Sequence, residues 1–372
     1  MSGKIRFGVI GCGSIGPTHI GAIAQMDEAE VVAVADTNGD KAQNVARKYD
    51  VARVYASDKD LLADAAVDAV CVCLPSGMHA GCAVRALEAG KHVVIEKPMD
   101  VSLDACDRLI AAEDATGKKL AVISQHRFDA ATVLVKQAID AGKLGRIVLA
   151  DATVKWWRTQ AYYDSGDWRG TWAMDGGGAL MNQGVHTVDL LQWLAGGVHS
   201  VFAHTLTGAH ERIEVEDTAV AALQFKNGAV GTLTATTAAW EGYPVRIDIY
   251  GTEGTAIIEG DRLHTLKFKS GEEYRSEAAA AHALSVARGG TASVKDEAAT
   301  RLSTGGGTIS IGAAADPGAV WGDAHRAQIE DFCRAIRNDT RPLIDGREGR
   351  KPLEIITGVY RSARTGLPVI LG

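Results

Sequence analysis

Residues 4–16, KIRFGVIGCGSIG, and the run VVAVAD at 31–36 decide the fold. An apolar strand enters the glycine loop Gly11-Cys12-Gly13-Ser14-Ile15-Gly16, a helix-forming stretch follows, and Asp36 ends the next strand twenty positions after Gly16. A lone G-x-G-x-x-G is a weak signal. Set between strand and helix, and followed by an acidic strand end, it reads as a dinucleotide grip. Gly11 permits the tight turn, Gly13 lets backbone approach a pyrophosphate, Gly16 lets helix and strand pack closely, and the helix N-terminus offers unpaired N–H groups to the phosphates. Asp36 is suited to accept hydrogen bonds from the adenosine ribose hydroxyls and to repel a 2′-phosphate. The following Thr37-Asn38 supplies no arginine to receive such a phosphate, so the reading is NAD over NADP.

The pattern continues to about residue 124 as strands near 4–10, 30–36, 52–55, 68–74, 91–95 and 119–124. Helices fall between them at about 14–25, 40–48, 58–65, 77–89 and 102–116, which signals parallel β-α units. After a linking helix near 129–141 the character changes. IVLADATVKW, TAVAALQF, GAVGTLTATT, VRIDIYG, GTAIIEG and RLHTLKF are strand-like, with short turns and no helices between them, so an antiparallel sheet is expected. A helix from Gly178 to Leu194 precedes that sheet, and helices over 323–336 and 352–365 close the chain. The stretch 276–318, rich in Ala, Gly, Ser and Thr, reads as a long mobile loop.

At 372 residues the chain is comfortable for two domains. Its net charge of −7 argues against a nucleic-acid partner, and an anionic substrate would have to be met by local Arg or Lys. No apolar stretch approaches the roughly 20 residues that span a bilayer, and strand-forming sequence from Ile5 leaves no room for a signal peptide; a cytoplasmic location is expected. Cysteines 12, 71, 73, 82, 106 and 333 form no C-x-x-C pair and no metal-ligand spacing, so buried reduced thiols and no metal are expected.

Two further motifs carry chemistry. Glu96-Lys97-Pro98 stands where the fifth parallel strand ends, and ligands of open α/β sheets bind beyond the carboxyl ends of strands. Lys97 is therefore expected to project toward the nicotinamide end of the cofactor crevice, aimed by an X-Pro bond where a cis peptide is cheap. An isolated E-K-P is more often a surface ion pair. The second motif runs from Gly176 to Asp189, GGGALMNQGVHTVD. On a helix Asn182 and His186 share one face, with Asp189 three residues further on. Taken alone, His186 would more often be a satisfied core histidine. Gln125, His126 and Arg127 end the sixth strand and are expected to line the same crevice. The aromatic segment 155–172, KWWRTQAYYDSGDWRGTW, offers faces that stack on sugars, with Arg158 and Arg169 as clamps for a carboxylate or phosphate. Domain-interface packing explains that segment equally well. Trp168 is expected near the nicotinamide, Arg158 nearer the substrate, and His325, at the start of a late helix, in contact with substrate.

In this order and spacing the three signals resemble the glucose-fructose oxidoreductase/inositol dehydrogenase family, Gfo/Idh/MocA. The resemblance extends to Leu74-Pro75-Ser76-Gly77-Met78-His79, Trp168-Arg169-Gly170-Thr171-Trp172 and the closing Ser362-Ala363-Arg364-Thr365-Gly366-Leu367-Pro368-Val369. It implies an α/β fold with an N-terminal Rossmann domain, residues 1–124, and a C-terminal α+β domain, residues 125–372. The latter carries an open, largely antiparallel sheet used for substrate binding and for a homotetramer or homodimer. It also implies NAD(P)-dependent dehydrogenation of CH–OH groups of sugars, sugar acids, nucleotide sugars or cyclitols. By motif Lys97 is the E-K-P lysine and His186 the histidine of D-x-x-x-H. Asn182 departs from the pattern, standing where most members have Asp. Within A-L-M-N-Q-G-x-H that departure resembles a subgroup that includes UDP-N-acetylglucosaminuronate 3-dehydrogenases.

On this reading Lys97, His186 and Asn182 are catalytic. Gly11, Cys12, Gly13, Ser14, Ile15, Gly16, Asp36, Thr37, Leu74, Pro75, Ser76, His79, Glu96, Lys97, Gln125, Trp168 and Arg169 hold the cofactor. Lys97, Arg127, Arg158, Asn182, His186 and His325 meet the substrate. Two rivals remain: an NAD-dependent glycosidase of the same fold, and a non-catalytic sugar or NAD sensor.

Overall fold

The computed structural model describes residues 3–277 and 322–372. The loop expected at 276–318 therefore lies, beyond residue 277, outside the described residues. In chain order the first strands are β1 (Ile5–Ile10), β2 (Ala29–Ala35), β3 (Arg53–Tyr55), β4 (Ala69–Val72), β5 (His92–Ile95) and β6 (Leu120–Val122). Between them run α1 (Gly16–Ile23), α2 (Gly39–Tyr49), α3 (Asp58–Ala63), α4 (His79–Glu88) and α5 (Leu103–Thr116). Then come α6 (Ala130–Asp140), β7 (Ile147–Lys155), α7 (Gln160–Tyr163), α8 (Val185–Ala195) and the strands β8 (Val198–Leu206), β9 (Thr218–Phe225), β10 (Val230–Thr236), β11 (Arg246–Gly251), β12 (Gly254–Glu259), β13 (Arg262–Phe268) and β14 (Glu273–Tyr274). Helices α9 (Gly322–Asn338) and α10 (Gly346–Thr365) and strand β15 (Val369–Ile370) complete the described chain.

Two compact units emerge. The first takes the described residues within 1–125, 164–177 and 318–354; the second takes those within 126–163, 178–317 and 355–372. In the first unit a six-stranded parallel sheet runs in the order β3-β2-β1-β4-β5-β6, the doubly wound arrangement whose strand order reverses between β1 and β4. Its strands are buried on both faces, which is why IRFGVI and AVCV read as continuous apolar runs. Helix α9 belongs to this core. Phe332 sits 6.3 Å, ring to ring, from Phe7 of β1, and Ile329, Cys333 and Ile336 join the same cluster with Ile20 and Ile23 of α1. Each such fully buried side chain stabilises by about 1.5–3 kcal/mol. All six cysteines are free and buried.

The second unit holds a nine-stranded sheet in the order β14-β13-β12-β11-β7-β10-β9-β8-β15. Neighbours pair antiparallel except β7 and β10, which run parallel with Val230 opposite Leu149. The sheet is thus largely antiparallel, as expected, with one parallel pair at its centre. β9 alternates buried and exposed along its length, so the sheet keeps one open face. The sequence reading omits β8, whose VHSVFAHTL interleaves histidine and serine among its apolar residues, and β15, which adds two residues to its edge at Val201 and Ser200.

A buried carboxyl in the first unit makes stability pH-dependent. Glu113 on α5 lies against Gly346, and among the described residues its buried Oε2 has no hydrogen-bond partner. Burial, with the charge of Asp345 second, pushes it up to about 7. Because this folded-state value lies above the unfolded one, the native state is favoured at low pH and loses that advantage as pH rises toward about 7. Glu113→Gln should flatten this slope and gain about 1–2 kcal/mol near pH 8 after allowance for solvent screening. Urea unfolding near pH 5 and pH 8 measures it; identical pH slopes for native and variant would remove Glu113 as the cause.

Candidate active site

The glycine loop has the geometry a dinucleotide needs. Gly11 takes φ +102°, and a Cβ there would lie 2.3 Å from the Cys73 carbonyl oxygen. Gly13 is exposed with open space around its missing side chain, where backbone can meet phosphate. Helix α1 begins with no side-chain cap and no acidic residue in its first turn, leaving its N–H groups and positive dipole end to an anion. Asp36 is fixed from both sides: Oδ2 accepts the Cys12 N–H at 2.8 Å and Oδ1 the Asn38 N–H at 2.8 Å. Burial, then the Asp36 charge, pushes the Cys12 thiol up to about 11, so it stays protonated. Gln125, just beyond β6, keeps a buried Oε1 with no hydrogen-bond partner among the described residues, an acceptor suited to a ligand N–H. These features fit NAD.

At the end of β5 the run 93–100 is buried except at Lys97, which alone keeps partial solvent access. The Lys97–Pro98 bond is cis, as the X-Pro reading anticipates. Glu96 is buried beneath it: Oε2 accepts the Lys97 N–H at 3.0 Å and Oε1 meets His19 Nε2 at 2.8 Å, with His325 Nε2 at 3.7 Å. Burial opposes a charge on Glu96, but the two imidazoles outweigh it and hold the carboxyl well below the usual range. Glu96 is therefore an anchor for the strand end, and His325, expected to meet substrate, is a buried member of that anchor with 2 % exposure. His79 is likewise internal. Its ring bridges the carbonyl oxygens of Pro98 and Leu74 at 2.7 Å each, tying the Leu74–His79 loop to the E-K-P turn.

In the second unit the expected 178–194 helix is two pieces. Residues 179–183 form a wide turn in which the Gly184 N–H reaches the Ala179 carbonyl at 2.9 Å, and regular α-helix begins at Val185. Three successive glycines and the following Gly184 permit this winding, so four-residue α spacing does not relate Asn182 to His186. The access pattern is selective all the same. Across residues 175–192 only Asn182 and His186 are not buried. The His186 ring packs edge-on against His126 at 5.0 Å between centroids, and His126 Nδ1 lies 2.6 Å from Asp129 Oδ2.

Two residues expected at the substrate are buried against partners within the second unit. Arg127 is 1 % exposed, pairs bidentately with Asp189 at 2.7 and 2.5 Å and stacks on Trp193; apolar packing with a matched charge keeps it in the interior. Arg158 is buried, donating to Gln183 Oε1 at 2.9 Å and to its neighbour's carbonyl, its guanidinium lying over the Trp156 and Tyr162 rings. Trp168 is half-buried with Arg169 stacked 4.5 Å over its ring. Sequence reasoning passed over His19 and Glu216. For the latter the signal was V-E-D at 215–217, an acidic pair entering an apolar strand.

A parallel sheet of this order, a glycine loop fit for a dinucleotide and an acidic end to β2 define an NAD-binding Rossmann oxidoreductase. Residues 5–124 match the NAD-binding Rossmann fold of the GFO/IDH/MocA oxidoreductase family, and residues 132–257 match its C-terminal domain. The chain belongs to that family. It is similar along 100% of its length to the WlbA dehydrogenase of Bordetella pertussis, solved in complex with NADH and UDP-GlcNAcA, with 37% identity, 99% of that chain covered and a TM-score of 0.85. An inositol 2-dehydrogenase/D-chiro-inositol 3-dehydrogenase of Shouchella clausii is 30% identical over 259 residues, 68% of this chain and 72% of the relative. The myo-inositol 2-dehydrogenase of Thermotoga maritima is 29% identical over 266 residues, 70% of this chain and 77% of the relative.

Proposed function

We propose that this enzyme oxidises a secondary hydroxyl of a carbohydrate, a nucleotide-linked uronate being the first candidate, with Lys97 and His186 as its catalytic pair. The observation that carries the reading is selective access. In two otherwise buried runs the side chains left open are the E-K-P lysine, the histidine of the D-x-x-x-H position and Asn182. Bound NAD supplies the acceptor for the hydride that leaves the carbinol carbon. His186 takes the hydroxyl proton, as an imidazole does well near neutral pH. The Lys97 ammonium stabilises the developing alkoxide. Asn182, a neutral amide, orients the substrate hydroxyl through hydrogen bonds and adds no charge to the imidazole. The nucleotide-linked uronate is favoured by the full-length likeness to a protein solved with UDP-GlcNAcA.

Residues 1–124 are read as the dinucleotide-binding part and residues 125–372 as the substrate and assembly part. The open face of the nine-stranded sheet exposes Phe202, Leu206, Val220 and Val230, an apolar surface suited to a second copy, so a homotetramer or homodimer in the cytoplasm completes the proposal.

A panel of polyols, aldoses, uronates and UDP-sugars, followed by nicotinamide absorbance with NAD and NADP separately, tests it. Turnover should appear with a sugar hydroxyl, and NAD should be preferred by about tenfold or more, a gap of about 1.4 kcal/mol that Asp36→Ala narrows. Equal use of NADP by the native protein would remove Asp36 as the discriminator.

A further inference from the structure

We propose that Glu216 is a positioning residue for His186, fixing the point from which the His186-bearing segment starts, so that turnover depends on it while dinucleotide binding does not. This rests on His186 being the proton acceptor. Glu216 stands two residues before β9 and is 3 % exposed. Its Oε2 accepts the Gly178 N–H at 2.9 Å, its Oε1 accepts the Leu180 N–H at 2.9 Å, and its backbone carbonyl accepts the Ala179 N–H at 3.0 Å. Three consecutive N–H groups at the start of the segment are thus held by one residue.

The approach is so close that a Cβ on residue 178 would fall 1.8 Å from the Glu216 carbonyl oxygen, which explains a glycine there. Beyond this clamp the chain winds one wide turn and enters α8, and His186 is the second residue of α8. A helix is rigid over that distance, so a shift at its start displaces the ring by a similar amount, and misplacement by about 1 Å can lower a rate by about a hundredfold. A carboxylate at this end also satisfies N–H groups that a helix start otherwise leaves unpaired.

The groups facing Glu216 are those N–H donors and, from α10, the Tyr360 hydroxyl, which donates to Oε1 at 2.9 Å. The adjacent Asp217 is turned to the N–H groups of Gly208, Ala209 and His210 and to the His210 ring. Burial pushes Glu216 up to about 7 against the pull of its donors. Protonation would turn one carboxylate oxygen into a donor facing a donor.

The test compares native enzyme, Glu216→Gln, Tyr360→Phe and His186→Ala. In Glu216→Gln kcat should fall about tenfold or more with NAD affinity unchanged. In NMR of 13C-labelled histidine the His186 signal, assigned by its loss in His186→Ala, should move while those of His19, His79 and His92 stay. Tyr360→Phe removes one donor and leaves the N–H clamp, so it should raise the carboxyl further; kcat should fall severalfold near pH 7 and recover near pH 9. That variant decides the matter if Glu216→Gln does not fold. A folded Glu216→Gln with native kcat and an unmoved His186 signal overturns the proposal, as does a native pH profile in Tyr360→Phe. If His186→Ala itself turns over normally, the assignment of His186 has failed, and the NMR signal alone then reports whether Glu216 places the ring.

Discussion

Lys97→Ala and His186→Ala are each expected to lower kcat by about a hundredfold or more while leaving NAD affinity nearly intact. The features fit to hold the dinucleotide, the glycine loop, the uncapped start of α1 and Asp36, are touched by neither substitution. On the proposed mechanism each variant instead removes one role in a single proton-coupled step. On that mechanism, without Lys97 the developing alkoxide loses its cationic partner, and without His186 the hydroxyl proton loses its assigned acceptor. Glu96, its Oε1 held by His19, keeps the strand end in place when Lys97 is shortened, so the loss should fall on chemistry and not on folding. Steady-state turnover with NAD titration by fluorescence measures both quantities. Ordinary kcat in either variant removes that residue from the mechanism.

Arg127→Ala is expected to destabilise the protein by about 3–5 kcal/mol, because it leaves the Asp189 carboxylate buried without its partner. The pair is almost wholly enclosed, at 1% and 4% side-chain exposure, and the guanidinium also covers the Trp193 ring. Removing both charges in Arg127→Leu/Asp189→Leu should recover much of the loss, since an apolar pair of similar volume has no desolvation to repay. Urea unfolding of the two variants checks this. If Arg127→Ala unfolds like the native protein and instead raises KM for a sugar substrate, the residue is a substrate clamp after all, and its burial has been misread.

The parallel half of the fold was legible because its signals are local. Strand, glycine loop, helix and acidic strand end follow within 36 residues, and burial on both faces leaves continuous apolar runs. The second sheet was legible strand by strand but not in pairing. Nothing in IVLADATVK and VGTLTAT shows that they lie side by side and parallel, since strand order is set by long-range packing. Lys97, Asn182 and His186 were picked out from their motifs, and each keeps partial solvent access within a run of buried residues. Arg127, Arg158 and His325 were assigned to substrate because charge in a cleft-lining position suggests a ligand. Their partners, Asp189 62 positions away, Gln183 and Glu96, were invisible without the fold. The same distance hid Glu216, 38 residues in sequence from Gly178.

The central claim, that this chain carries out net oxidation of a sugar hydroxyl with Lys97 and His186 at the reacting centre, is tested most directly by cofactor stoichiometry. Native protein, NAD and a UDP-linked uronate should yield one NADH for each keto sugar formed, and Lys97→Ala should yield almost none in the same time. Release of a glycoside without accumulating NADH would show hydride returning within each turnover, as in an NAD-dependent glycosidase. Tight binding of sugar and NAD with no conversion would mark a sensor, and either result contradicts the account.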